Sequence, residues 1–481
     1  MKKKQGEPKF EKIFNITYKL PSSSSKFTEI INPYTEEKIT EIPDFNDKDI
    51  DAVIKASKKA FLDWKLSTPQ ERSLLLLKLA DLIEAEKENI AKLESLNTGK
   101  LANLAKGDIE FAIDNIRFFA GACRTLQGQL TGEYNGINGT SILRREPLGV
   151  VAAIVPWNYP FMVACWKLAA IAAGNVLIIK PSAYTPLSTI KLMDLVEKAG
   201  FPKNVISIIT GQGERIGPAL AVHPEIDSIS LIGNTETGKE IAKLASSTLK
   251  KVHLGLGGKA PFIVFQDADI EKAADMALEA GSVNAGQDCT AATRIYIQDK
   301  VYDQFIKIIR KKAQETVAGD PSSPKTTLQP LISSKHKERI TSMVKLYPDK
   351  NGIIFQSKIP RQGFFYPLTL IKDAEQSSEL CQKEIFGPVI LISSFKTEEE
   401  AIQKANGVIY GLSSSVWTSD VKRAMRFSQA LQFGEVWIND HMPLVSEMPH
   451  GGTKSSGNSR ELSSYALEEY TYLKHVYINL Q

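Results

Sequence analysis

The clearest pattern in the chain is a series of short apolar segments that alternate with longer amphipathic ones between Gly149 and Ile232. Short apolar runs bounded by turn residues are typical of buried strands, and the stretches between them have helical spacing. Strands that alternate with helices in this way predict a parallel, doubly wound sheet. The strand segments read GVVAAIV, NVLIIK, VISIIT and IDSISLI.

A second alternation of the same kind begins at Pro261. It contains the strand PFIVF, a helix from Ile270 to Val283, the strand RIYIQ, a helix from Tyr302, and the strand VILISSF after Pro388. A chain of 481 residues is too long for one ordinary domain. We therefore predict an α/β protein with two doubly wound, Rossmann-like domains.

The segments outside these alternations follow other patterns. From Asp47 to about Gly107, apolar residues recur at intervals of three and four, which predicts an antiparallel pair of helices. A strand-like segment from Gly128 to Arg145 contains Asn138-Gly139, a pair typical of hairpin turns. The C-terminal TYLKHVYINL has the pattern of one more strand. Together they predict a small sheet outside both domains that contacts another subunit.

A further helix is predicted from Asp108 to Cys123. Its acidic residues Asp108, Glu110 and Asp114 can project from one side. A run of charges on a helix is usually a solvated face, and this interpretation is favoured here. The alternative is that the three carboxylates border a cleft.

Composition and charge exclude several classes of protein. The 59 basic and 55 acidic residues are interspersed and give a net charge of +4, which argues against nucleic-acid or membrane-surface binding. The longest apolar run, Phe161 to Ala173, contains Lys167 and is too short to span a bilayer. The four cysteines form no CxxC pair, and no His/Cys spacing resembles a zinc site. We predict a reduced, cytoplasmic protein without a metal.

Candidate chemistry is concentrated in the loops next to the predicted strands. Cys289 lies in GQDCTAATR, after the second-domain helix, and we interpret it as a nucleophile. Asn158, in PWNYP, is placed either to stabilise an oxyanion or merely to cap a helix. Lys180, at a strand end in KPSAYTPLS, is placed to meet a cofactor ribose or phosphate. The turn TGQGERIG, which contains Gly213, resembles a dinucleotide-binding turn only weakly.

These loops belong to a longer series of motifs, which run in the order PWNYP, KPSAYTPLS, GNTETG, LGGKAP, GQDC, KEIFGPV and EMPHGGTKSSG. In order and spacing the series resembles the aldehyde dehydrogenase superfamily, from about Ile30 to Tyr477. AGQDCTAATRIY and LVSEMPHGGTKSSG are most similar to the bacterial aminobutyraldehyde and betaine aldehyde dehydrogenases. The resemblance implies an NAD(P)-binding domain at 1–124 and 146–256, a catalytic domain at 257–455, and an oligomerisation hairpin and strand at 125–145 and 456–481.

The resemblance also implies a reaction, the NAD(P)-dependent oxidation of an aldehyde to its carboxylic acid. The Cys289 thiolate would add to the aldehyde, and the Asn158 amide and the Cys289 backbone N–H would hold the thiohemiacetal oxyanion. Hydride transfer to the nicotinamide would leave a thioester for hydrolysis. Carried over by position, the cofactor contacts are Trp157, Lys180, Ser182, Ala183, Gly213, Gly233, Asn234, Glu384 and Phe386. The substrate contacts are Tyr159, Trp166, Asp108, Leu444 and His450, the last at a position where many relatives have an aromatic hydrocarbon ring.

Gly255 departs from the family pattern, because it stands where the motif ELGGK has its general-base glutamate. A general base typically contributes about 10²- to 10⁴-fold in rate. We therefore predict slow or impaired hydrolysis of the thioester. The alternatives are a relay of the proton through Glu461, transfer of the acyl group to an acceptor such as coenzyme A, or a catalytically inactive cofactor-binding protein.

Ala183 is the second departure, since NAD-preferring relatives carry a glutamate there that binds the adenosine-ribose hydroxyls. Without that charge, Lys180 and Ser182 can meet a 2′-phosphate, so we predict that NADP is accepted beside NAD. For the substrate we predict an ω-aminoaldehyde such as 4-aminobutyraldehyde. Its cation would meet Trp166 and Tyr159, with the acidic residues of the 108–123 helix at the entry. The family implies a homo-oligomer, either a tetramer or a dimer.

Overall fold

The computed structural model describes residues 14–126, 128–131, 139–347 and 352–480. The first half of this fold is built on a five-stranded sheet in which all neighbours are parallel. The strand Val176–Lys180 has every residue buried, which explains its uninterrupted apolar sequence. From edge to edge the strands are Ile206–Ile208, Val176–Lys180, Val150–Ile154, Ser228–Gly233 and Lys251–Leu256.

The second half is built on a seven-stranded sheet. Its neighbours are parallel except at one edge, where Ile353–Gln356 runs antiparallel to Thr369–Lys372. The order is Ile353–Gln356, Thr369–Lys372, Val389–Phe395, Ala292–Gln298, Ala260–Val264, Ser413–Trp417 and Glu435–Ile438. The predicted class, an α/β fold with parallel sheets, is confirmed, whereas the proposed domain boundaries remain a prediction.

Helices surround both sheets. In the first half they are Asp47–Trp64, Pro69–Ala85, Lys87–Thr98, Ala102–Ala122, Pro160–Trp166, Ala169–Ala172, Leu187–Ala199, Gly213–Val222, Thr235–Ala245 and Ser463–Glu469. In the second half they are Ile270–Ser282, Tyr302–Ala313, Ser334–Lys345, Glu379–Gln382, Glu398–Asn406 and Val421–Ala430. Short 3-10 turns occur at Ser246–Thr248 and Asp299–Val301, whereas Val283–Gly286 is a turn that contains residues with positive φ. Among the described residues, no helix is both long and apolar enough to cross a bilayer.

The prediction of one antiparallel helical pair before residue 107 is wrong. The region forms three helices, and a fourth, Ala102–Ala122, starts earlier than predicted. Capping boxes at Asn46 and Thr68 begin the first two helices. The second and third helices are separated by Glu86 alone, with φ −109° and ψ 10°. Because this break contains neither Gly nor Pro, the apolar pattern continues across it.

The small sheet predicted outside the two α/β units is present. The strand Thr471–Asn479 pairs antiparallel with Gly139–Pro147 along its whole length, and Gln129–Thr131 pairs on the other side. The predicted turn at Asn138 lies outside the described residues. Exposed apolar side chains such as Leu473 and Ile478 lie on the C-terminal strand. The helix Ser463–Glu469, which was not predicted, buries Ala466 and Leu467 in the core of the first half. Two further two-stranded ribbons pair Phe27–Ile31 with Lys38–Pro43 and Tyr410–Gly411 with Thr453–Lys454.

Candidate active site

A cavity of about 290 Å³ lies where the carboxyl ends of the five-stranded sheet face the loops of the seven-stranded sheet. Ligands of parallel α/β folds bind at such strand ends. Predicted catalytic and substrate residues from distant parts of the sequence meet here. The lining includes Asp108, Asn158, Tyr159, Trp166, Gly255, Cys289, Leu444, His450 and Glu461.

A strained turn holds the loop that carries Cys289. Asn284, Ala285 and Gly286 are consecutive residues with positive φ, a conformation that costs energy at the first two positions. Buried amides hold the turn in place: Asn284 Nδ2 donates to the carbonyls of Asn158 and Gln287, and Gln287 Nε2 donates to the Asn284 carbonyl. The thiol is therefore presented to the cavity by a loop with few alternative conformations.

The Cys289 thiol is strongly biased towards its protonated form. Burial raises its pKa well above the ordinary value, and the nearby carboxylates of Asp288, Glu384 and Glu435 add to the effect. The thiolate is the nucleophilic form of cysteine. Activation of Cys289 therefore requires a group that accepts its proton.

Asn158 directs its side chain towards the same loop. Its Nδ2 donates to the Gln287 carbonyl at 3.0 Å, and the residue is buried at the cavity wall. The following helix starts after Tyr159 and has no side-chain cap. The interpretation of Asn158 as a helix cap is therefore wrong, and its amide stays available as an oxyanion donor.

Gly255 lies in the last strand of the first sheet, at the cavity wall. A Cβ built on it would lie 3.2 Å from Ile232 Cγ1 and 3.3 Å from Ser459 Oγ. Its φ is not positive, so the backbone does not require glycine. A larger side chain here needs only a small shift of two neighbouring side chains and would then enter the cavity.

The predicted acidic entry is corrected by the structure. Asp108 lines the cavity but is ion-paired with the fully buried Lys100. Glu110 pairs with Lys87 on the surface, and Asp114 accepts a hydrogen bond from Ser446. These carboxylates do not form a shared cluster, because each is bonded to a different partner.

The prediction that the rings of Trp166 and Tyr159 meet the cation of the substrate also needs correction. The Lys100 ammonium lies 3.8 Å from the centre of the Tyr159 ring, so one face of that ring already has a cation. The Tyr159 hydroxyl donates to Asp288 Oδ2 at 2.5 Å. Asp288, which was not among the predicted site residues, lines the cavity beside Cys289.

His450 is held beside Trp166 by a buried carboxylate. Its Nδ1 lies 2.7 Å from Glu435 Oε1, and its ring meets the Trp166 ring edge to face, with centroids 5.5 Å apart. The Trp166 indole N–H donates to Asn115. The polar partner Glu435 was missed because it lies on a separate strand, 15 residues before His450 in the chain.

Glu461 lies at the cavity wall as an ion pair. Its carboxylate bonds to the fully buried Lys167, and His253 Nδ1 lies 3.5 Å away. Burial alone would raise the pKa of Glu461, but Lys167 and the nearby histidines outweigh it, and the pKa is lowered. A carboxylate stabilised in this way is a weak base, which disfavours the proton relay through Glu461.

The cofactor residues predicted from the first sheet lie near its carboxyl edge. Lys180 is 2% exposed, and its ammonium forms no hydrogen bond or ion pair within the described ranges. Burial lowers the pKa of Lys180 to about 8, although Asp44 counteracts this. A buried ammonium without a partner fits a ligand with oxygen acceptors. Gly213 adjoins it, since a Cβ there would lie 3.6 Å from Lys180 Nζ.

A second part of the predicted cofactor site starts the helix Thr235–Ala245. Asn234 caps this helix by accepting from the Thr237 N–H, and a Cβ built on Gly233 would contact only Leu231. An open helix N-terminus suits a phosphate group. Ser182 and Ala183 lie half-buried after Lys180, where the Ser182 hydroxyl accepts from the Tyr184 N–H.

The nicotinamide-side residues form a group of their own. Glu384 accepts from the Gly258 N–H at 2.9 Å, and burial raises its pKa to about 7. Trp157 packs edge to face on Phe386 at 5.2 Å. A Cβ on Gly257 would lie 2.4 Å from the Glu384 carboxylate, so this close approach needs a glycine. These features fit a dinucleotide, and no group of acidic, histidine or cysteine side chains within the described ranges could hold a metal ion.

The fold and these residues fit a dinucleotide-dependent α/β oxidoreductase with a cysteine in the wall of its cavity. The chain matches the aldehyde dehydrogenase family over residues 20–476, and it belongs to that family. Its cofactor class is NAD(P), and the resemblance predicted from the motifs is confirmed.

Individual relatives cover nearly the whole chain. It is 39% identical to betaine aldehyde dehydrogenase of Bacillus subtilis (strain 168), over 96% of both chains. It is 38% identical to the NADP/NAD-dependent aldehyde dehydrogenase PuuC of Escherichia coli (strain K12), over 94% of this chain and 92% of that one. Betaine aldehyde dehydrogenase from Staphylococcus aureus, solved in complex with NAD+, superimposes with a TM-score of 0.95 at 36% identity, covering 98% of this chain and 96% of that one.

Proposed function

We propose that this chain oxidises a cationic aldehyde to its carboxylic acid through a thiohemiacetal and a thioester on Cys289, with slow hydrolysis of the thioester. The observation that carries the proposal is the shared cavity of Cys289, Asn158 and Gly255, whose cysteine loop is held by buried amides. The nicotinamide ring supplies the hydride acceptor when the cofactor is bound. All other steps depend on the residues of this chain.

The Cys289 thiol first loses its proton to water, and the thiolate then adds to the aldehyde carbon, so that the negative charge moves to the oxygen of the adduct. The Asn158 amide lines the same cavity as Cys289 and is the candidate donor to this oxygen. Preorganised donors of this kind typically contribute about 10²- to 10³-fold in rate. Loss of hydride converts the adduct to a thioester, which water must then attack.

Gly255 supports the proposal that this last step is slow. No carboxylate extends from that position into the cavity, and Glu461, the other candidate, is held by Lys167. Transfer to coenzyme A and loss of all catalysis are the competing outcomes.

A single-turnover experiment tests the proposed function. On mixing the full chain with NAD(P) and excess 4-aminobutyraldehyde, we expect a burst of reduced cofactor close to one equivalent per site, followed by a slower steady phase. A burst followed by a slower steady phase is the result expected when deacylation is slower than hydride transfer. No burst would favour the cofactor-binding protein, and a steady phase accelerated by coenzyme A would favour acyl transfer.

The charges of the cavity support an ω-aminoaldehyde as substrate. Asp108 is neutralised by Lys100 and Glu461 by Lys167, whereas Asp288 has no cationic partner among the described residues. Its carboxylate is thus the group that can meet an ammonium. The similarity to betaine aldehyde dehydrogenases points to the same class, since betaine aldehyde is itself a cationic aldehyde.

We therefore expect kcat/KM for 4-aminobutyraldehyde to exceed that for butyraldehyde by roughly tenfold or more, the size of one charge-assisted hydrogen bond. Asp288→Asn should bring the ratio close to one. Asp114→Asn, the same change on a residue outside the cavity lining, should leave it unaltered. Equal or better activity with the aliphatic aldehyde in the unaltered protein would contradict the proposed substrate.

Ala183 supports acceptance of both cofactors, because no carboxylate there opposes a 2′-phosphate next to Lys180. We expect the dissociation constants of NAD and NADP to agree within about tenfold, a difference of about 1.4 kcal/mol. Ala183→Glu should weaken NADP selectively, whereas Ala183→Gln, which has the same length without the charge, should do so less. Titration by tryptophan fluorescence measures both constants, and much tighter NAD binding by the unaltered protein would refute the expectation.

A further inference from the structure

His450 and Glu435 form a buried titratable pair that the proposed reaction does not use. The His450 Nδ1 lies 2.7 Å from Glu435 Oε1, and the two side chains are 8% and 12% exposed. The backbone N–H and carbonyl of His450 are both bonded to Glu461, and its ring contacts Trp166. The imidazole is therefore fixed at the wall of the cavity that also contains the Cys289 thiol.

We propose that His450, oriented by Glu435, is the general base that activates water for hydrolysis of the Cys289 thioester. This inference rests on the proposed function and names the residue responsible for its last, slow step. His450 would act as a catalytic residue and Glu435 as a positioning residue. The pair supplies a proton acceptor to the same cavity as Gly255, where the family glutamate is missing.

The tautomer of His450 follows from its partner. An ionised carboxylate can only accept a hydrogen bond, so Nδ1 carries the hydrogen towards Glu435 and Nε2 keeps its lone pair in the neutral ring. Within the described ranges Nε2 forms no hydrogen bond. The basic atom of the ring is thus free to accept a proton from water.

The charged groups that face His450 support this role. Burial lowers the pKa of the imidazole, but the carboxylates of Glu435, Glu461 and Asp288 outweigh burial, and the pKa of His450 is raised. A base works best when its pKa lies close to the operating pH. The pKa of Glu461 is lowered, mainly because Lys167 opposes the effect of burial. Asp288 already accepts from Tyr159 and Thr290.

The step balances without another reactant. Water transfers one proton to His450 Nε2 while its oxygen bonds to the thioester carbon. Collapse of this adduct breaks the bond between carbon and Cys289 Sγ, and the acyl group leaves as a carboxylic acid. The proton on His450 returns to the sulfur, which restores the thiol. No electrons are exchanged, because hydride transfer is already complete.

The test compares burst and steady phases in variants of the full chain. His450→Phe keeps a planar ring against Trp166 but has no base, so we expect the burst to persist and the steady rate to fall at least about tenfold, within the range of general-base effects. The rise of the steady rate with pH, as His450 loses its proton, should disappear. The matched control is His223→Phe. His223 lies at the end of the helix Gly213–Val222, far along the chain from His450, and its replacement should alter neither phase.

Glu435 requires a separate readout. Glu435→Gln keeps the shape and removes the charge that favours protonated His450, so the midpoint of the pH profile should move to lower pH. An unchanged midpoint would argue that Glu435 is only structural.

Rescue by added imidazole distinguishes loss of the base from general damage to the site. His450→Ala opens space beside the cavity, and added imidazole should restore its steady rate without affecting His450→Phe. A His450→Phe protein with an intact burst and an unaltered steady rate would overturn the inference while leaving the proposed function standing. If His450→Phe also loses its burst, absence of rescue in His450→Ala overturns the inference. Absence of a burst in the unaltered protein would instead overturn the proposed function.

Discussion

Replacing Cys289 by alanine is expected to remove both the burst of reduced cofactor and the steady turnover. The expected loss in kcat is on the order of 10⁴- to 10⁶-fold, as for other enzymes that lose their nucleophile. Of the four cysteines, Cys289 lines the cavity, whereas Cys123, Cys165 and Cys381 are buried in the cores. No neighbouring thiol can therefore take its place.

The measurement is stopped-flow absorbance of the reduced cofactor, with cofactor binding determined in parallel. Cys123→Ala is the matched control, because it deletes a thiol from the core of the first half and should leave the amplitude of the burst unaltered. The dissociation constant of NAD should change little in Cys289→Ala, since the predicted ribose and phosphate contacts come from other loops. Residual turnover near that of the unaltered protein would contradict covalent catalysis by Cys289.

The strands of both sheets were predictable because they are buried on two faces. Val176–Lys180 and Ala260–Val264 have every residue buried, so continuous apolar runs mark them in the sequence. The helices before residue 107 were not counted correctly, because Glu86 separates two of them without a turn residue. Local patterns thus identify what a segment buries better than where it bends.

The residues of the site also divide into those that the sequence predicted and those that it did not. Cys289 and Asn158 were predictable because each occupies a loop with recognisable neighbours in the sequence. Their partners were not, since Lys100, Asp288 and Glu435 become relevant only through contacts formed by folding. For example, the Lys100 ammonium lies over the face of the Tyr159 ring that was predicted to meet the substrate cation.

Replacing Gly255 by glutamate should raise the steady rate by about 10²- to 10⁴-fold, the usual contribution of a general base, while the burst is retained. The backbone accepts a side chain here, and the contacts at 3.2 Å with Ile232 and 3.3 Å with Ser459 require shifts of a few tenths of an ångström. Gly255→Gln is the matched control, because it fills the same space without a base and should leave the steady rate low. No gain in Gly255→Glu, despite normal cofactor binding, would contradict slow hydrolysis as the consequence of Gly255.

The Gly255→Glu variant also tests whether a base at position 255 and His450 act on the same step. If His450 activates water in the unaltered chain, His450→Phe should lose much of its effect once Gly255→Glu supplies a carboxylate, because either base suffices for one proton transfer. Residues that act on one step are not additive, and the double variant measures this coupling directly. Equal losses from His450→Phe with and without Gly255→Glu would show that His450 acts on another step. The steady rate of the double variant thus tests whether Gly255 and His450 describe one change, in which the base has moved from one lining position of the cavity to another.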